Sequence, residues 1–131
     1  LMEQRKIIIQ GRDIAFNRKI LERKDTGTLI LEHKNKQDKF KERDSGLNHI
    51  LCNIARENSI VLAIDFSEIL SVQGKERAEV LARIMQNIKL MKKAKNKVKL
   101  INKSARENLD LRAFLITLGM RNDDAKNAVE N

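Results

Sequence analysis

The sequence predicts an α/β protein built on a parallel sheet, and three observations carry that prediction. Short apolar runs rich in β-branched residues and leucine recur at residues 7–10, 28–32, 60–66 and 98–101. Between them lie longer stretches with helical composition or spacing, so strand and helix alternate along the chain. Proline is absent, which leaves no obvious linker, and 131 residues with 41% apolar content set one domain, residues 1–131, with a real core. Such units join parallel strands through right-handed crossovers. Four of them make half of an eight-stranded barrel, a partial TIM-type wall.

The elements follow in order. Residues 7–10, Ile-Ile-Ile-Gln, have the composition of a strand buried on both faces and end beside Gly11. Residues 14–23 are helical in composition, and Gly27 supplies a stop after them, just before the second strand at 28–32. In the next helix Leu47, Ile50, Leu51 and Ile54 share one face, with Asp44 or Ser45 as the N-cap. The longest helix covers about residues 75–95. It places Leu81, Ile84, Met85, Ile88 and Met91 inward and Glu79, Arg83, Gln86, Lys89 and Lys93 outward. After the fourth strand, residues 111–118 form an apolar helix ended by Gly119, and residues 123–130 a weaker one.

Composition removes several function classes. One cysteine, Cys52, makes neither an internal disulfide nor a cysteine-based zinc site, and two histidines cannot populate a multi-histidine metal cluster. No apolar run is long enough to cross a bilayer and no signal-type apolar segment follows the N-terminus, so a soluble, cytoplasmic protein without a membrane partner is expected. The net charge of +9 is what a protein working against a polyanion carries. Aromatics are only 3%, all phenylalanine, which argues against a base-stacking surface. The charge is also concentrated. Between Lys89 and Arg106 stand eight cations and no acid, and Lys34, Lys36, Lys39, Lys41 and Arg43 outweigh Asp38 and Glu42 by three in a second stretch. One charge run is usually a solvated face, whereas two that hold nearly all the net charge point to phosphate contact.

In α/β proteins of this kind the working face lies at the C-terminal ends of the strands. That rule collects Gln10, Gly11, Glu32, His33, Asp65 and residues 102–104, and it makes the basic loop and the end of the basic helix-strand segment flank one rim. His33, His49, Glu32, Asp44 and Asp65 are the candidate metal ligands, too few for a metal-activated water. His49 and Cys52 stand one helical turn apart, but two ligands without a third make a poor site. The plainer roles are a helix-face His49, a half-buried Cys52, and Ser45 and Ser104 as helix caps, the latter with Glu107 at capping-box spacing. Glu32, Asp44 and Asp65 could hold a hydrated magnesium that accompanies RNA, although solvated acids look the same. Gly11 and Gly46 form no phosphate-loop signature. No catalytic residue, resident metal or cofactor is assigned.

Residues Arg43, Asp44, Ser45, Gly46, Leu47, Asn48, His49, Ile50 and Leu51 resemble the basic-Asp-Ser/Pro-Gly-apolar-Asp/Asn-His-apolar-Leu signature of ribonuclease P protein component 3. The likeness continues in order through the strand at 60–66, Glu76, Arg77 and Ala78, then Ser104 and Ala105. It ends with Asp110, Leu111, Arg112, Ala113, Phe114 and Leu115 and the following Leu118, Gly119 and Met120. The resemblance implies a barrel like that of the polymerase and histidinol phosphatase superfamily, here without the family's first strand-helix units. An apolar sheet surface is then left open, with a partner or self-association to complete it. It further implies a non-catalytic subunit of the ribonucleoprotein that removes the 5′ leader of precursor tRNA. In that assembly the RNA subunit cleaves with magnesium, and the partners are the ribonuclease P RNA, precursor tRNA, protein component 2 and the other ribonuclease P proteins. Lys34, Lys36, Lys41, Arg43, Arg83, Lys89, Lys93 and Lys103 are the expected RNA contacts. Asp44, Ser45, Gly46, His49, Ser104, Asp110 and Arg112 are the motif residues. Two alternatives stay open: a reduced metal-dependent phosphoesterase of the same superfamily, and a generic basic RNA-binding scaffold.

Overall fold

The computed structural model describes residues 6–38, 44–104 and 106–130. Four strands, β1 (Ile7–Gln10), β2 (Thr26–Leu31), β3 (Val61–Asp65) and β4 (Val98–Ile101), form one sheet in chain order, every pair parallel. Sequential order without reversal is the arrangement of a barrel wall rather than of a doubly wound sheet. Helices α1 (Ile14–Leu21), α2 (His49–Glu57), α3 (Phe66–Leu70), α4 (Gly74–Ala94), α5 (Asn108–Thr117) and α6 (Asn122–Glu130) complete the described elements. α1 packs on β2 and α2, α2 on β3 and α4, and α6 on β4.

Side chains alternate across a strand, so register separates the two faces of the sheet. Leu29, Leu62 and Val98 align in one row and Leu31, Ile64 and Leu100 in another; all but the half-buried Val98 are fully buried. The rows between them hold Ile8, Thr28 and Val61, then Gln10, Ile30, Ala63 and Lys99, and only Ala63 is buried. One face is therefore covered and the other open. β1 departs from the expectation of burial on both faces: it is an edge strand, and Ile8 is 69% exposed.

Other expectations also shift. Gly27 does not stop a helix but lies within β2, where an added Cβ would fall 2.3 Å from the Lys6 Cβ. α1 ends at Leu21 instead, and the Thr26 hydroxyl donates to the Ile20 carbonyl there. The N-cap of α2 is Asn48, whose side chain accepts from the Leu51 N–H, so neither Asp44 nor Ser45 caps it; Leu51, Cys52 and Ala55 are its buried face and Ile50 is exposed. In α4 the buried positions are Val80, Arg83, Ile84, Asn87, Ile88 and Met91, while Met85 is exposed. Two polar members disguise this inward stripe, which is why the apolar pattern alone rotated it. α5 does end as expected: Gly119, at φ 112, follows the Leu118 C-cap, and the Met120 N–H returns to the Leu115 carbonyl.

Gly11, just after β1, donates its N–H to the Ile30 carbonyl, and a Cβ there would meet that oxygen at 2.6 Å. Both atoms are backbone, so relief requires the β1 end to move away from β2. Gly11→Ala is expected to destabilise the protein by about 2 kcal/mol in urea unfolding.

Candidate nucleic-acid interface

The rim at the C-terminal ends of the strands is built from buried polar groups that brace one another. Glu68, on α3, accepts from the His33 N–H at 2.9 Å and the Lys34 N–H at 3.1 Å, and its other oxygen faces His33 Nδ1 at 3.0 Å. Asn87, on α4, spends its amide N–H groups on the Ser45 carbonyl and on His33 Nε2. With Nε2 accepting, the ring proton sits on Nδ1 and points at Glu68. Both nitrogens of the fully buried His33 are thereby engaged, which removes it as a metal ligand.

Arg83 corrects the expectation most sharply. Predicted outward as an RNA contact, it is 4% exposed and donates to the His33 carbonyl, the Lys36 carbonyl and Asp38 Oδ1, each at 3.2 Å. Its planar fork suits three acceptors held at different angles. Asp38 Oδ1 also accepts from the Asp44 N–H, and Asn17 bonds the Arg12 backbone and the Gly46 carbonyl. Glu68, Asn87 and Asn17 are the residues that sequence reasoning missed; nothing in their local sequence distinguishes them from ordinary helix residues.

The remaining rim residues are likewise occupied. Lys34 donates to the Ser71 hydroxyl, Lys36 is buried with its ammonium on the Arg12 carbonyl and beside Glu32, and Lys103 donates to the Val129 carbonyl. Arg106 lies 5.7 Å from the Phe66 ring centre. Asp65 caps α3 and accepts from the Asn102 amide. Ser45 is buried with its hydroxyl on the Leu47 carbonyl, and Gly46 is buried at φ 75. Ser104 sits at φ 65 and does not cap α5; Glu107 holds the N-cap position without a side-chain bond. His49 is exposed while Cys52 is buried, so the two do not converge on a shared ligand. Asp110 is exposed in the first turn of α5, and Arg112 lines a shallow cleft beside Lys126. Lys41 and Arg43 lie outside the described residues. Among the described residues no three His, Cys, Asp or Glu side chains could hold a metal ion together.

Burial pushes the Cys52 thiol up to about 12. Cys52 is therefore expected to resist alkylation at pH 8 in the native state, with labelling that tracks global unfolding across a denaturant series.

The exposed cations lie elsewhere, and of these Lys92 donates to the Gly119 carbonyl at 3.3 Å. α4 begins near the rim, where Arg83 meets the loop after β2, and runs back toward the start of the strands, where the Lys97 carbonyl accepts from the Leu62 N–H. At 1.5 Å per residue, Lys93 lies about 15 Å along the axis from Arg83. The end of the basic segment, Lys103 and Arg106, returns to the rim, while Lys93, Lys95 and Lys97 stand toward the opposite end of the sheet. Lys89, Lys92, Lys93, Lys95, Lys97 and Lys99 are exposed and form no ion pair among the described residues. That leaves a concentrated positive field, tempered by Asp124 in the groove it shares with Lys95, Lys97 and Lys99.

Fold and charge together define a class: a parallel β/α half-barrel with a braced rim and a lysine-rich opposite end. A family model described as RNase P subunit p30 matches residues 7–131, and the chain belongs to that family. Ribonuclease P protein component 3 of Methanococcus maripaludis is 30% identical over 118 residues, covering 86% of this chain and 48% of the relative. That of Methanocaldococcus jannaschii is 31% identical over 122 residues, again 86% and 48%. A chain in a cryo-EM structure of archaeal Ribonuclease P with mature tRNA is similar at a TM-score of 0.74 and 29% identity, covering 95% of this chain and 53% of that one. The chain spans about half the length of the curated relatives it matches. No helix among the described residues is long and apolar enough to cross a membrane.

Proposed function

We propose that this chain acts as a protein subunit of ribonuclease P, binding and stabilising the catalytic RNA while the RNA, with magnesium, removes the 5′ leader of precursor tRNA. The observation that carries this is the set of exposed lysines from Lys89 to Lys99, without an ion pair among the described residues, in a chain of this family. Closely packed phosphates repel one another, and lysines relieve that repulsion as adaptable point charges without reading bases. The braced rim supplies shape rather than chemistry. Of the expected RNA contacts, Lys89 and Lys93 keep that role; Arg83 and Lys36 are spent on the fold.

The open sheet face, the exposed Ile8 on the β1 edge and the exposed Leu109 on α5 support protein partners, protein component 2 among them, or self-association. The other ribonuclease P proteins and precursor tRNA complete the proposed assembly, in the cytoplasm. Affinity purification of the chain from its native source, followed by sequencing of bound RNA, tests the proposal. Enrichment of ribonuclease P RNA is the expected result. Recovery of ribosomal RNA alone would instead assign a general basic scaffold.

A further inference from the structure

We propose that Arg12, on the loop that follows β1, is a pre-positioned contact for an RNA phosphate. This rests on the RNA-binding function proposed above and adds a contact at the rim, on a residue that belongs to neither basic stretch of the sequence. Arg12 is exposed, and its guanidinium carbon lies 4.8 Å from the centre of the Phe16 ring. Among the described residues the guanidinium forms no ion pair. The neighbouring carboxylate, Asp13, is turned to the start of α1, where it accepts from the Phe16 N–H at 2.8 Å.

The backbone that carries this side chain is held from three directions. Asn17, fully buried on α1, accepts from the Arg12 N–H at 2.7 Å and donates to the Arg12 carbonyl at 3.1 Å. The same amide nitrogen donates to the Gly46 carbonyl at 2.8 Å, and the Lys36 ammonium adds a bond to the Arg12 carbonyl at 2.7 Å. A Cβ on Gly46 would meet that carbonyl oxygen at 3.0 Å, so the motif loop closes directly on Arg12. α1, the loop after β2 and the loop before α2 thus fix the point from which the guanidinium extends, and the Phe16 ring fixes its plane. An arginine held in this way loses little side-chain freedom when it binds. With one face covered by the ring, the in-plane N–H groups remain to donate, and two parallel bonds to the non-bridging oxygens of a phosphate match that fork. The net charge of +9 draws a polyanion to this fork as it does to the lysines. Arg12 stands at the rim, whereas Lys93, Lys95 and Lys97 stand toward the other end of the sheet, so it gives the RNA a second point of attachment.

The experiment measures binding of a labelled RNA duplex by fluorescence anisotropy across a salt series, on the wild-type chain and on Arg12→Lys, Arg12→Gln and Phe16→Leu; unfolding curves establish that each variant is folded. Arg12→Lys keeps the charge but not the fork, and is expected to lose about fivefold in affinity at an unchanged slope of log affinity against log salt. Arg12→Gln should lose about tenfold and lower the slope by about 0.9, the value for one released counterion. Phe16→Leu leaves every charge in place and should lose about threefold. The two Arg12 variants, changed at an exposed side chain, decide the matter where Phe16→Leu does not fold. Wild-type affinity in Arg12→Lys, in Arg12→Gln or in folded Phe16→Leu would overturn the pre-positioned contact while leaving RNA binding itself in place. Failure of the wild-type chain to bind RNA would overturn both.

Discussion

Replacing Arg83 with methionine is expected to destabilise the protein by about 3 kcal/mol, because the change removes three charge-assisted bonds and leaves the buried His33 carbonyl without that donor. Methionine fills much of the same space, so the loss reports hydrogen bonding rather than a cavity. The His33 and Lys36 carbonyls and the Asp38 carboxylate all lose their partner on α4 at once. Arg83→Lys should recover only part of the stability, since one ammonium cannot reach three acceptors at once. Urea unfolding of both variants, with unchanged dependence on denaturant, checks this. A cost below about 1 kcal/mol would mean that the rim is held by Glu68 and Asn87 without Arg83.

Substituting glutamine for both Lys89 and Lys93 is expected to lower the slope of log duplex-RNA affinity against log salt by about 1.8, the value for two released counterions. Both side chains are exposed, while the α4 stripe that packs inward is Val80, Ile84, Ile88 and Met91, so stability should change little. Losses should be similar across unrelated RNA sequences, because backbone contacts carry no base information. Lys19→Gln with Lys126→Gln is the matched control, two exposed charges on elements that carry none of the proposed contacts. If the two pairs behave alike, the effect belongs to net charge and not to α4.

What the sequence disclosed depended on where local signals agreed with the fold. β1 and β4 lie where their apolar runs do, bounded by Gly11 and Asn102, and Gly119 ends α5 because only glycine adopts φ 112 without strain. The rotation of α4 was misread because its buried stripe contains Arg83 and Asn87, polar residues whose partners come from a distant loop. Ser45 and Ser104 have the chemistry of caps, but each sits about three residues before the position that caps a helix, and residue type alone does not reveal that offset. α3 went unseen because Phe66, Ile69 and Leu70 continue the apolar run of β3. The spread of the charge was not legible for a geometric reason: the basic segment begins on a 21-residue helix whose two ends lie about 30 Å apart, so lysines close in sequence are distributed along the sheet rather than gathered at one rim. The motif around Asp44 and His49 identified the family, and within the fold its Asp44 N–H closes onto Asp38 while its Asn48 caps α2.

The most direct measurement is a magnesium titration of precursor tRNA cleavage by ribonuclease P RNA reconstituted with its protein subunits, with and without this chain. Cleavage without the chain should need several-fold more magnesium to reach half its maximum, since the ion must then supply the charge neutralisation that the lysines give. The Lys89→Gln/Lys93→Gln variant should fall between the two. An identical magnesium requirement in the presence and absence of the chain, at concentrations where it is bound, would contradict a role in stabilising the RNA.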